Sequence, residues 1–297
     1  MKGFREVAMI LVTGASGNAG GAVLKEVLKT NRPVKAMYRS PMDAAKASAE
    51  VGAVIADFAD KPSLGRALEG VDSVYLVCSP VRELVELEGN MVDACQAAGV
   101  RHVVLNSALG SGDYAKSFPS WHRKVEDKLR ASGLDYTVLR PNSFMQNILT
   151  YYAPSIRTQG AFYAAMGNAR TSFIDVRDVA AVAATTLTSP GHAGKTYELN
   201  GPEAVTYGEI AEKITRAIGR KVQYVNIPVA QQKQAMLDQG LPDWLITALL
   251  DLQAYYTGGK GSEVDDVVST ILGRAPGTMD QLLADFADNF VAKTGAA

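Results

Sequence analysis

Thr13-Gly14-Ala15-Ser16-Gly17-Asn18-Ala19-Gly20-Gly21 follows directly on an apolar run from Val7 to Val12, and this junction decides the fold. An uninterrupted apolar run is what a strand buried on both faces requires. Past the glycines, Ala22, Val23, Val27 and Leu28 fall at helical spacing. Strand, glycine turn and helix form the setting in which backbone N–H groups and a helix N-terminus hold a diphosphate. The spacing is G-x-x-G-x-x-G (Gly14, Gly17, Gly20) rather than the G-x-G-x-x-G of most dehydrogenases, and the departure points to a particular superfamily. An ordinary tight turn with glycines for helix packing is the competing reading. The flanking elements favour dinucleotide binding.

The 297 residues, 47% hydrophobic with a formal net charge of −1, suffice for a large core in one extended domain or a domain with a lobe. Near-neutral charge offers no electrostatic case for nucleic acid or an anionic membrane surface. Cys78 and Cys95 lie in apolar surroundings and read as reduced core residues in a reducing compartment. His102, His122 and His192 are scattered without metal-ligand spacing, so no metal is expected. The first apolar run is too short to span a membrane and has no signal-peptide pattern, which predicts a cytoplasmic protein.

Short apolar runs at Val34–Tyr38, Ala53–Ala56, Ser73–Cys78, His102–Asn106 and Tyr136–Leu139 alternate with helical candidates at Gly21–Lys29, Asp43–Glu50, Ser63–Leu68, Glu83–Ala98 and Lys116–Ala131. This alternation predicts an α/β fold, a doubly wound parallel Rossmann sheet with ligands at the carboxyl ends of its strands. Ser40-Pro41-Met42-Asp43 reads as an N-cap, a first-turn proline and a capping-box acid, while Gly99 and Gly133 close helices. Further on, Ile174–Leu187 reads as a helix and Lys195–Leu199 as a strand. Tyr207–Ile218 is an amphipathic helix, Val222–Ile227 a short strand, and helices follow within Val229–Tyr256 and Met279–Phe290, with Gly258–Gly261 as a flexible break. We expect a nucleotide domain over residues 1–155, completed near 171–200. A smaller C-terminal α/β lobe (156–170 and 201–297) is expected to cover the cofactor cleft and hold the substrate pocket.

The second strand ends Tyr38-Arg39-Ser40, where an NAD site usually carries an acid for the ribose 2′-hydroxyl. Arg39 suits a 2′-phosphate instead, and the nearby Asp43 is explained by helix capping. NADP is therefore expected over NAD. Short-chain dehydrogenases commonly place Tyr-x-x-x-Lys on the helix after the fifth strand. Here that helix reads Trp121-His122-Arg123-Lys124-Val125-Glu126-Asp127-Lys128, without tyrosine. The one match, Tyr256 to Lys260, spans Gly258-Gly259 and is coincidental. His122 and Lys124 are the polar candidates near that position, and two residues apart they cannot both face one way. Lys124 beside Lys128 suits a base of lowered pKa. Ser107, just past the fifth strand, is placed for the nicotinamide ribose or a substrate oxygen. For each, a polar surface residue is the competing reading.

These stretches, with Gly52 through Asp57, Gly99 through Val104, Leu139-Arg140-Pro141-Asn142-Ser143-Phe144-Met145-Gln146-Asn147, Phe173 through Ala180 and Gly194 through Pro202, resemble the NmrA-like family of atypical short-chain dehydrogenases. Within it the chain looks most like bacterial NADPH-dependent reductases of quinones and triphenylmethane dyes. The resemblance implies that Gly14, Ser16, Gly17, Asn18 and Ala19 hold the diphosphate and Arg39 the 2′-phosphate. It places Asp57 and Phe58 beside the adenine and Cys78, Ser79 and Pro80 along the ribose. Ser107, Lys124, Pro141, Asn142 and Phe144 would surround the nicotinamide.

The expected activity is hydride transfer from NADPH to a quinone, dye or enone-like acceptor, with Lys124, Ser107 and His122 as catalytic candidates. Such acceptors delocalise the incoming charge, so a missing tyrosine is compatible with turnover. Phe144, Met145, Tyr151, Tyr152, Phe162, Tyr163 and Trp244 are candidates for lining a flat, apolar pocket, with core packing the competing reading. An NADP(H)-binding redox sensor without turnover is the alternative. A sugar-nucleotide epimerase is a weaker one, since those enzymes keep the tyrosine. The sequence leaves a homodimer open.

Overall fold

The structure is a computed structural model and describes residues 8–113 and 115–292. Two compact units share the chain. The first runs through Asp113 and takes in Pro119–Arg140 and Val176–Glu198; the second holds Ala115–Phe118, Pro141–Asp175 and the described chain from Leu199 onward. One of the points at which the chain passes between them is Arg140–Pro141.

The first unit carries β1 (Ile10–Val12), β2 (Val34–Tyr38), β3 (Gly52–Ile55), β4 (Ser73–Leu76), β5 (His102–Asn106) and β6 (Asp135–Pro141). The next strand, β7 (Ala161–Ala164), stays out of this sheet, and β8 (Lys195–Leu199) completes it. The order is β3-β2-β1-β4-β5-β6-β8, and the pairings from β3 through β6 are parallel. Strand order reverses between β1 and β4, the switch point at which open α/β sheets bind ligands. Of the predicted first strand, Ile10–Val12 is strand, Ala8 and Met9 are not, and Val7 lies outside the described residues.

Helices α1 (Asn18–Leu28), α2 (Pro41–Ala44), α3 (Lys61–Ala67), α4 (Leu84–Ala98) and α5 (Phe118–Ala131) connect the strands. Gly99 closes α4 in the left-handed region at φ 71°, which costs glycine little. Ser40 caps α2 as expected, accepting from the N–H groups of Met42 and Asp43. The carboxylate of Asp43 turns to Lys46 at 2.8 Å, and α2 stops at Ala44 instead of reaching Glu50. Apolar side chains from strands and helices fill one core, among them Leu11, Leu64, Leu76, Val103, Leu105 and Leu129, all fully buried. Each such leucine contributes about 1.5–3 kcal/mol relative to exposure.

The second unit contains a parallel pair of β7 with β9 (Gln223–Asn226), registered from Ala161 opposite Gln223 to Ala164 opposite Asn226. Its core is aromatic. Tyr152 lies 5.1 Å from Phe162 and 5.7 Å from Tyr207, while Phe162 lies 5.5 Å from Tyr224. A full capping box, Thr206 with Glu209, starts the helix Tyr207–Ile218. Sequence reading missed β7 and the π-helical turn Ile148–Tyr152, neither of which has a distinctive pattern. Among the described residues no helix is long and apolar enough to cross a membrane.

Candidate functional site: a dinucleotide cradle with a buried polar layer

The carboxyl end of β1 turns at Gly14, whose φ of 59° is a left-handed conformation natural to glycine. The Thr13 hydroxyl accepts from the Val77 N–H at 2.8 Å, tying this turn to the end of β4. Side chains have no room here: a Cβ on Gly20 would stand 2.2 Å from the Gly14 carbonyl oxygen, and one on Gly14 would stand 2.8 Å from Val77. Gly17 is the N-cap of α1 and offers no side chain to its first turn. Ser16, Gly17 and Asn18 are exposed and Ala19 is buried. Exposed N-terminal amides with the positive end of the helix dipole suit an anion, so the residues fit a dinucleotide diphosphate.

Arg39 is exposed at the end of β2. Asp43, the neighbouring acid, already pairs with Lys46. That arrangement fits a 2′-phosphate better than a bare ribose hydroxyl. Asp57 forms a turn, its Oδ1 accepting from the Ala59 N–H at 2.8 Å. Phe58 is buried, and its carbonyl accepts from Asn90 at 3.0 Å. Ser79 and Pro80 are exposed beyond β4. Cys78, half-buried, donates its backbone N–H to Glu88 Oε1 at 3.0 Å, and burial pushes its thiol up to about 12.

Beneath this surface lies a polar layer. Glu126 accepts from the Ser107 hydroxyl at 2.6 Å, from Arg140 Nε at 3.0 Å and Nη2 at 2.8 Å, and from Arg130 at 2.9 Å. Burial opposes its ionisation, but these donors hold the Glu126 carboxyl below the usual carboxylate range. Glu88 has no surface exposure, and its Oε2 lies 3.9 Å from His122 Nδ1. Burial pushes the Glu88 carboxyl up to about 8 and the His122 imidazole down to about 4. Both are therefore uncharged at neutral pH, and the proximity is not an ion pair.

The chain matches the NmrA-like family over residues 6–273. It is 35% identical to the NAD(P)H azoreductase of Xenophilus azovorans over 97% of this chain and 100% of that one. Quinone oxidoreductase 2 of Escherichia coli is 32% identical over 91% of this chain and 96% of that protein. The structure of the Escherichia coli NADPH-dependent quinone oxidoreductase in complex with NADPH superposes with a TM-score of 0.84 at 30% identity, covering 94% of this chain and 99% of that one. The chain belongs to the NmrA-like family.

Three of the residues expected around the nicotinamide in this NmrA-like chain have defined surroundings in the fold. Ser107 is buried, and its hydroxyl donates to Glu126 at 2.6 Å. Asn142 sits in the second unit with Pro141 and Phe144. Its amide donates to Asn200 at 2.8 Å and to the Gly261 carbonyl at 2.9 Å, and its Oδ1 accepts from Ser143. Sealed polar groups must find protein partners, and these have. Lys124 is exposed, and among the described residues no ion pair holds it. Lys128, its expected cationic partner, pairs with Asp93 at 2.8 Å.

The inward face of α5 is instead His122, Val125, Glu126 and Leu129. Glu88, Glu126 and Arg140 were missed as candidates, although the signal was present. Glu88 interrupts the stripe Leu84, Met91, Val92, Cys95, and Glu126 shares a stripe with Val125 and Leu129. An acid at core spacing announces a buried charge or a protonated carboxyl.

Of the apolar and aromatic pocket candidates, Met145 and Phe162 are core, whereas Tyr151 and Tyr163 are 69% and 43% exposed. Tyr256 and Lys260 share no helix, since the helix Asp243–Thr257 ends between them. The Gly258–Gly261 break is pinned, its Gly261 carbonyl accepting also from the Ser172 N–H at 2.9 Å. A cavity borders Ile10, Ser73, His102 and Asp135, the first residues of β1, β4, β5 and β6. It sits at the opposite end of the strands from the glycine turn.

Proposed function

We propose that this chain is an NADPH-dependent reductase that transfers hydride to a conjugated small-molecule acceptor, a quinone, azo dye or enone. The observation that carries the reading is the pairing of the side-chain-free cradle Gly14–Gly20 with Arg39 at the end of β2, where the neighbouring acid is spent on Lys46. Relatives named for reducing quinones and azo compounds across nearly the full chain support it, and they do not favour a sensor without turnover.

Bound NADPH supplies the hydride. Gly14, Ser16, Gly17, Asn18 and Ala19 hold its diphosphate through backbone N–H groups, and Arg39 neutralises the 2′-phosphate. Asp57 and Phe58 flank the adenine, and Cys78, Ser79 and Pro80 the ribose. Lys124, exposed on α5, contributes a donor on the nicotinamide side. Glu126 locks Ser107 and Arg140, so the ends of β5 and β6 keep their spacing through the reaction. A conjugated acceptor spreads the charge it gains, which lowers the demand for a strong acid at the reacting carbon. The second unit carries acceptor-binding residues, with the exposed rings of Tyr151 and Tyr163 suited to a flat molecule.

An assay that mixes the protein and NADPH with a panel of quinones and azo dyes, and follows the reduced-nicotinamide absorbance, tests this reading. Turnover with at least one acceptor is expected. Tight NADPH binding with no turnover on any would reverse the conclusion. Arg39→Ala is expected to weaken NADPH binding roughly 10- to 100-fold, a loss of about 1.5–3 kcal/mol for a charge-assisted contact, and to leave NADH unaffected. Equal losses for both cofactors would remove Arg39 from the 2′-phosphate.

A further inference from the structure

Glu88 and His122 face each other inside the first unit, and neither Glu88 Oε2 nor His122 Nδ1 has a hydrogen-bond partner. Unsatisfied buried polar atoms are rare, and two that lie next to one another call for an explanation. The 3.9 Å between them is too long for a hydrogen bond, yet a ring movement of about 1 Å would close it. The pair is wired to the cradle. Glu88 Oε1 holds the Cys78 N–H, and the adjoining Val77 bonds Thr13 and stands against Gly14. On the other side, Nδ1 is sealed while the His122 side chain keeps 12% exposure, so the ring reaches solvent through its other atoms.

We propose that Glu88 and His122 form a proton-delivery pair, in which His122 protonates the reduced acceptor and Glu88 replenishes it from behind. The assignment rests on the reductase reading. An acceptor that has gained a hydride carries one surplus negative charge. His122 gives up the proton on Nε2 to it as Nδ1 takes the proton of the Glu88 carboxyl. Nε2 then takes a proton from water as Nδ1 returns its own to the Glu88 carboxylate, which restores the first tautomer and the acid together. The sum is one proton from solvent to product.

The protonation states suit proton delivery, because burial keeps Glu88 protonated and His122 neutral near pH 7. The other ionisable groups facing the pair are Tyr75 and Cys78, which burial keeps protonated, and Glu126, ionised against Arg140 and Arg130. Lys124, exposed on the same helix, has no such reserve behind it. Glu88 acts through His122 and is a positioning and proton-supplying residue.

The deciding experiment uses the full chain with ring-15N-labelled histidine, and Glu88→Gln, His122→Gln and the double variant. The wild-type ring is expected neutral as the Nε2–H tautomer at pH 7, and Glu88→Gln, whose amide still donates but transfers no proton, is expected to keep that tautomer. Turnover of an azo dye or quinone with NADPH should fall roughly 100-fold in either single variant, with no further loss in the double variant. NADPH affinity should hold, and the solvent deuterium isotope effect of the wild type should be lost. A charged or Nδ1–H ring, additive losses in the double variant, or an undiminished isotope effect would overturn the pair while leaving the reductase reading intact. A wild type that reduces no acceptor would remove the reductase reading and the pair with it.

Discussion

Replacing Glu88 by Gln is expected to stabilise the protein increasingly as pH rises. In the folded state burial lifts the Glu88 carboxyl from 4.5 to about 8. Below the unfolded value both states are protonated, and the group contributes no difference. Between 4.5 and about 8 the unfolded chain releases its proton while the fold retains it, so wild-type stability falls through that window. The gap corresponds to about 5 kcal/mol at 1.36 kcal/mol per decade, an upper figure because relaxation around the carboxylate would reduce it. Glutamine is nearly isosteric, and its carbonyl oxygen can still accept from the Cys78 N–H. Near pH 5 the variant should therefore match wild type to within about 1 kcal/mol, the worth of one altered hydrogen bond. Near pH 9 it should be more stable by several kcal/mol. Urea denaturation across this range measures the difference, with the m-value checking that the unfolded states are comparable. A difference that stays constant with pH, or a wild type that remains the more stable at alkaline pH, would mean that Glu88 is ionised in the fold.

Glu126→Ala leaves the Arg140 guanidinium, 10% exposed, with Glu198 at 3.3 Å as its remaining carboxylate. A loss of about 3–5 kcal/mol is expected in denaturant unfolding, as for other broken buried pairs, and a change under 1 kcal/mol would contradict the burial argument. Gly20→Ala must move backbone, because its Cβ meets the Gly14 carbonyl at 2.2 Å. With about 1–3 kcal/mol of overpacking at the cradle, NADPH binding by calorimetry should weaken at least tenfold, and unchanged binding would show that the loop is not the diphosphate site.

The strand, glycine turn and helix were legible in the sequence because they are local. Gly14, Gly17 and Gly20 with their flanking strand and helix lie within one short stretch, and Arg39 sits at the next strand end. The helix caps Ser40, Gly99 and Gly133 were legible for the same reason. Boundaries fared less well. The α2 helix is half its expected length, and β7 is too short and ordinary in composition to declare itself.

What the sequence alone determined, then, is the doubly wound sheet and the glycine turn after its first strand, both set by periodicity and conformational demands over a few neighbouring residues. Only the tertiary structure decided which polar side chains find partners inside the protein. Ser107 and Glu126 are 19 residues apart, Glu88 and Cys78 are 10 apart, and Asn142 and Gly261 are 119 apart. Whether a hydroxyl, amide or carboxyl faces ligand or is spent inside depends on such distant partners. A buried polar group takes whichever donor or acceptor the packing brings within reach, and the fold brings Glu126 to Ser107 and His122 to Glu88.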